Sequence, residues 1–247
     1  MGKDFEAHLD AQVPATPEQV WDTVATGPGI SSWFVGRTEI DGETVRTSFG
    51  EGWMPEGHVT AAQPPHRFAY RSDTGEDGRF VAYEYLIEGR AGASTVLRTV
   101  TSGFLPGDDW ADEYEAMRYG TELFFHTLTQ CLYWFPGRFA IPVDIFGPPV
   151  TDWPRTWQRL HHALGLDAAP RAGDPVHSTV IPDGVVSFTN PHTLAVRAPD
   201  AIYRFLRGFH GSLVVAHALF TPADPGIWPA FLASLESSDL KSPDSLD

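Results

Sequence analysis

Cysteine is almost absent. Cys131 is the only one in 247 residues, so no disulfide can close within the chain and no thiolate cluster can hold a metal. Basic residues are also scarce: 17 Lys and Arg against 32 Asp and Glu leave a net charge of −15, which repels phosphate backbones and anionic lipid surfaces. Nucleic acid and membrane are therefore excluded as expected partners, and the same negative charge favours solubility. No run reaches the roughly 18 uncharged apolar residues that span a bilayer, and Met1 to Glu6 carries no apolar signal core. A reducing, cytoplasmic location is expected.

Catalytic and cofactor motifs are missing as well. His161 and His162 are adjacent, so on a helix they point about 100° apart and are poorly placed to share one ion. No His-Glu-x-x-His, cysteine pair or aspartate cluster is present, and no metal is expected. Gly208-Phe209-His210-Gly211-Ser212 lacks the Gly-x-Ser-x-Gly nucleophile turn, and no glycine-rich phosphate loop occurs. No cofactor is expected.

Aromatic residues, by contrast, are abundant: eight Trp and sixteen Phe supply enough bulky apolar surface to line a cavity as well as fill a core. Phe5, Ala7, Leu9, Ala11 and Val13 alternate with polar residues, the period of a half-buried strand ended by Pro14. Thr16-Pro17-Glu18-Gln19 reads as a capped helix start, with Val20, Trp21 and Val24 as its apolar face and Gly27-Pro28-Gly29 as its stop.

From Gly36 to Gly103, strand-like runs separated by turn residues suit an antiparallel meander, in which Val81, Tyr83, Tyr85 and Ile87 share one face. A helical period from Trp110 to Phe135, preceded by Asp108 and Asp109 and closed by Pro136-Gly137, would run roughly 39 Å, long enough to cover that sheet. Its stripe is Tyr114, Met117, Thr121, Phe124, Phe125, Leu128, Leu132 and Phe135.

Residues 138–151, rich in proline, read as a connector packed on the surface. A smaller α+β unit is expected over 152–247: a helix at Asp152–Leu166, strands at Val185–Phe188, Thr193–Val196, Ile202–Leu206 and Leu213–Phe220, and a last helix at Ile227–Leu235. The tail from Glu236 reads as polar and frayed.

Several motifs occur in an order that resembles a known superfamily. Val13, Ala15, Pro17, Glu18, Val20 and Trp21 make a strand-to-helix segment with a helix-borne Trp, and Trp33-Phe34 an aromatic pair before the second strand. Gly52, Gly57, Val59, Pro64-Pro65, Arg67 and Phe68 follow, and Thr95, Leu97, Thr99, Gly103 and Phe104 mark the last strand before the long helix. In these the first 135 residues resemble the SRPBCC (START-like) superfamily, within it the homologues of the activator of heat-shock-protein-90 ATPase, known from bacteria among others.

The resemblance implies an α+β helix-grip fold over 1–137: a curved antiparallel sheet around a long C-terminal helix, with a cavity between them. Where the family shows Gly-Trp in that helix, this chain has Gly120-Thr121, a change that would enlarge or reshape the cavity.

A cavity of this kind would be lined from Trp33, Phe34, Trp53, His58, Tyr70, Tyr83, Tyr85, Arg98, Tyr114, Met117, Arg118, Thr121 and Phe125. For the apolar ones ordinary core packing is the competing role, and for His58 a place on the outer face of a strand. Arg98 shares a strand face with Val96 and Val100, so it either projects to solvent or is an inward charge in need of a carboxylate.

The leading expectation is a binding protein for an apolar or aromatic small molecule. A second is a polyketide cyclase- or dehydratase-like enzyme, with His58, Arg98 and Tyr83 or Tyr114 as acid–base and oxyanion groups. A third is a chaperone-regulator type of protein-interaction module. A homodimer is left open, and Cys131, among Leu128, Leu132 and Phe135, is expected to be a buried, inert thiol.

Overall fold

The computed structural model describes residues 2–50, 52–107, 110–167, 169–208 and 211–236. Asp108 and Asp109, Phe209 and His210, and the polar tail beyond Glu236 lie outside the described residues.

Strand β1 (Lys3–Val13) leads into α1 (Pro17–Val24), where the expected capping box is present. Thr16 donates its N–H to Gln19 Oε1 at 2.9 Å and accepts the Gln19 N–H at 3.3 Å. A second short helix, α2 (Gly27–Ser31), precedes the meander: β2 (Arg37–Asp41), β3 (Thr44–Phe49), β4 (Gly52–Trp53), β5 (Gly57–Gln63), β6 (Arg67–Ser72), β7 (Phe80–Arg90) and β8 (Ser94–Leu105). The sheet order is β1-β8-β7-β6-β5-β3-β2, with β4 paired to β3, and every pairing is antiparallel. The long helix α3 (Trp110–Trp134) then packs against this sheet, giving the helix-grip architecture.

The second half holds β9 (Ile141–Pro149), α4 (Trp153–Ala163), β10 (Pro175–Val176), β11 (Gly184–Asn190), β12 (Thr193–Ala198), β13 (Ala201–Arg207), β14 (Ser212–Leu219) and α5 (Ile227–Glu236). Its sheet runs β10-β11-β12-β13-β14-β9. Residues 141–149, expected as part of a connector, are thus a strand. Val143 and Ile145 pack into the second core, and the prolines are tolerated because β9 lies at the sheet edge, where a missing N–H loses no ladder bond.

This strand also reveals a repeat of topology. In each half the first strand lies beside the last (β1 beside β8, β9 beside β14), a helical segment follows the first strand (α1 and α2 in the first half, α4 in the second) and another helix follows the last.

Helix α3 is covered on both sides. Leu128, Cys131, Leu132 and Phe135 sit in the first core, whereas Leu123 packs with Ala195, Leu206, Val214 and Ala216 of the second sheet. The second sheet is in turn buried on both faces. Tyr203, Phe205, Leu213 and Val215 belong to the core that includes Trp228 and Leu232 of α5, while their strand neighbours Leu206, Val214 and Ala216 turn toward α3. A strand buried on both faces has no reason to alternate apolar with polar, which explains the unbroken run Leu213-Val214-Val215-Ala216.

Candidate functional site

The inward face of β6 and β7 carries the aromatic cluster. Register places Tyr70 opposite Tyr83 and Phe68 opposite Tyr85, so period-two alternation stacks four rings on one side of the sheet. Tyr70 and Tyr83 lie 4.9 Å apart at 28°, and Phe68 and Tyr85 6.4 Å apart at 20°. The junction between α2 and β2 brings Trp33 and Phe34 onto these rings: Trp33 meets Tyr85 at 5.9 Å and Phe34 meets Tyr83 at 6.0 Å. From α3, Phe124 closes on Phe34 at 4.9 Å. Trp33 has its polar atom satisfied, since Nε1–H donates to the Thr23 carbonyl at 3.0 Å.

Burial decides the chemistry of the three phenols. Loss of solvent pushes Tyr83 up to about 12, and it pushes Tyr70 and Tyr85 well above the ordinary phenol value, with the neighbouring Tyr83 adding to the rise in both. At neutral pH all three carry their protons, so they can donate hydrogen bonds to an oxygen but cannot serve as bases.

The cluster is graded along β7. Ile87 and Tyr85 are buried, whereas Tyr83 and Val81, on the same face, are half-buried. Tyr114, Met117, Thr121 and Phe125 are half-buried on α3, spaced three or four apart and so on one helix face, and Tyr114 meets Phe5 of β1 at 5.9 Å. The half-buried end of the grip thus includes Val81 and Tyr83 of β7, Phe5 of β1 and the N-terminal half of α3.

Of the thirteen expected residues, Trp33, Phe34, Tyr70, Tyr83 and Tyr85 make up the ring cluster, while Tyr114, Met117, Thr121 and Phe125 lie half-buried along one face of α3. Four stand elsewhere. Trp53 is 62% exposed on β4. His58 is on the face opposite Val59, with Nε2 3.0 Å from Asp73 Oδ1. Arg98 lies on the outer face, between the inward Leu97 and Thr99, resolving its two expected roles in favour of solvent. Arg118 is exposed and pairs with Glu122 at 2.9 Å. The acid–base set expected from His58 and Arg98 is thus not assembled, because strand alternation turns both away from the rings.

Two surface concavities lie apart from the cluster. One of about 220 Å³ on the outer face of the first sheet includes Leu86, Val96 and Arg98, and one of about 450 Å³ along α4 includes Arg155, Trp157 and His161.

The sequence reading missed the groups that tie this wall to the second half. Arg204 of β13 is fully buried and donates from Nη1 to Trp33 O at 2.5 Å, from Nη2 to Phe34 O at 3.0 Å, and from Nε to Ala216 O. Asp144 of β9 accepts the Gly36 N–H at 3.1 Å. Burial raises the Asp144 carboxyl while the Arg204 charge opposes the rise; burial lowers Arg204 itself to about 10. Next to them Cys131 donates to Ser32 O at 3.4 Å, and Ser32 Oγ accepts the Ala140 N–H at 2.8 Å. The available signal was a lone charge inside the apolar run Ile202-Tyr203-Arg204-Phe205-Leu206.

Among the described residues no three His, Cys, Asp or Glu side chains gather into a metal-holding group, and no described helix is long and apolar enough to cross a membrane.

No family model matches the chain, and no curated protein matches it. Solved structures similar to it include DynU16, a putative protein in the dynemicin biosynthetic locus, at 22% identity over 93% of this chain and 94% of that one, with a TM-score of 0.41. The di-domain ARO/CYC BexL from the BE-7585A biosynthetic pathway is similar at 13% identity over 87% of this chain and 85% of that one, with a TM-score of 0.42. The Aha1 dimer from Colwellia psychrerythraea is similar at 18% identity over 52% of this chain and 96% of that one, with a TM-score of 0.41.

Proposed function

We propose that the protein binds a flat, apolar or aromatic small molecule bearing a hydroxyl or carbonyl oxygen, at the half-buried end of the grip, with Tyr83 of β7 and the N-terminal half of α3 as its walls. The observation that carries this reading is Tyr83: a protonated phenol on the inward face of β7, half-buried as a residue, stacked on Tyr70 and meeting Phe34, which Phe124 of α3 meets in turn. An aromatic wall with a few placed donors suits orientation of an apolar ring system carrying one polar atom. Binding is favoured over acid–base catalysis because the ring cluster supplies donors that stay protonated and, among its described side chains, no acceptor that titrates near neutral pH.

The test is a fluorescence titration with emodin, a neutral tricyclic phenol, and with its two- and four-ring analogues. Tyr83→Phe removes one hydrogen bond and should weaken binding about three- to tenfold. Thr121→Trp fills that end of the grip and should abolish binding while the melting temperature is kept. Absence of binding across the whole ring series would overturn the proposal.

A further inference from the structure

We infer that the second half of the chain sets the shape of this site, through a clamp made by Arg204 and Asp144 on the backbone of residues 33–36. Its functional meaning rests on the ligand-binding reading above.

The side chains of residues 33–35 are buried in the first core, while the backbone of the segment is held partly from outside it. The segment follows the five-residue helix α2 and precedes β2, and its first two N–H groups, those of Trp33 and Phe34, both donate to Ile30 O. Its outgoing groups are taken by the other half of the molecule: the carbonyls of Trp33 and Phe34 by the two arms of the Arg204 guanidinium, and the N–H of Gly36 by Asp144. Gly36 has φ +64°, and a Cβ there would strike the Ser48 carbonyl oxygen, so the turn that ends the segment is fixed as well.

A guanidinium with no solvent exposure is costly, and an apolar side chain of similar volume would often pack there as well or better. What an apolar side chain cannot do is hold two successive carbonyls at set positions, for which the planar fork of arginine is suited and the point charge of lysine is not. The rings attached to those two residues are the ones that meet Tyr85 and Tyr83. A shift of β13 against the first half would therefore move Trp33 and Phe34 and reshape the wall. Arg204 is a positioning residue: it touches backbone, not ligand.

The experiment compares Arg204→Met, Arg204→Lys and Asp144→Ala with Arg197→Met. Arg197, on β12 beside β13, joins the same two halves by lying 4.0 Å over the Trp134 ring, makes no hydrogen bond to residues 33–36 among the described residues, and lies outside the ring cluster. Three quantities are read in the full chain: the ¹⁵N-indole NMR signal of Trp33, hydrogen exchange at the Gly36 amide, and affinity for emodin.

Arg204→Met should shift or double the indole signal and weaken emodin binding tenfold or more. Arg204→Lys should fail to restore either, Asp144→Ala should speed Gly36 exchange tenfold or more, and Arg197→Met should change none of the three. Wild-type indole, exchange and affinity values in a folded Arg204→Met protein would overturn the clamp. If that variant does not fold, wild-type values in both Arg204→Lys and Asp144→Ala overturn it instead. If the wild-type protein binds no emodin, the ligand reading fails alone, and the indole and exchange readouts still decide whether the clamp acts on residues 33–36.

Discussion

Arg204 donates its backbone N–H to the side chain of His217, at 3.0 Å from Nδ1, in the middle of the β13–β14 pair. The ladder runs through Ile202–Ala218 and resumes at Phe205–Val215, so the imidazole takes a donor that a strand partner would otherwise hold. With Nδ1 accepting, Nε2 carries the hydrogen; it is buried without a hydrogen-bond partner among the described residues, and the ring lies 4.2 Å from Trp228.

This arrangement gives a pH dependence of known sign. Burial, and then the Arg204 charge, holds His217 well below its ordinary value of 6.5, and burial lowers His126, stacked on Phe188, to about 4. Below 6.5 the unfolded chain binds protons that the folded chain refuses, so stability falls as pH drops from about 6.5, by up to about 1.4 kcal/mol per pH unit for each such histidine. Urea midpoints at pH 7.5, 6.5 and 5.5 should show the fall, and His217→Asn, which keeps an acceptor for Arg204, should make it shallower. Parallel losses in both proteins would mean that His217 is not held neutral by the fold.

Because α3 is shared, the two halves should unfold together. Leu123→Ala empties a fully buried position between α3 and the second sheet and should cost about 2–5 kcal/mol. Fluorescence and far-ultraviolet circular dichroism should follow one transition in both proteins. Two separated transitions in the wild type would show that the helix belongs to the first sheet alone.

Burial also pushes the Cys131 thiol up to about 12. Alkylation at pH 8 should be on the order of a hundredfold slower in the native protein than in urea. Equal rates would place the thiol at the surface.

The residues turned outward should be dispensable. Trp53→Ala, His58→Ala and Arg98→Ala should each change stability by no more than about 0.5 kcal/mol and leave emodin affinity within a factor of two. A loss of affinity in His58→Ala would restore that histidine to the site.

The rings of the candidate site were readable because alternation in β7 assigns Tyr83 and Tyr85 to one face, and the helical period from Tyr114 to Phe125 supplies the helix wall. Alternation also contains the reason His58 and Arg98 are excluded, once the inward neighbours Val59 and Leu97 fix its phase. The contribution of the second half could not be read the same way. Its central strands are apolar on both faces, so no period says which side meets α3, and Arg204 and His217 appear only as polar interruptions of those runs. Leu123 and His126 were missed because the helix has a second covered face outside its main stripe.

The prolines of β9 concealed a strand from sequence reading, and they also govern what that edge can join. Pro142, Pro148 and Pro149 offer no N–H along the outermost strand of the second sheet. A neighbouring copy that tried to extend this sheet would find donors missing along the seam, which blunts the edge against strand-by-strand aggregation. Growth of the second sheet by strand addition is therefore disfavoured on the β9 side.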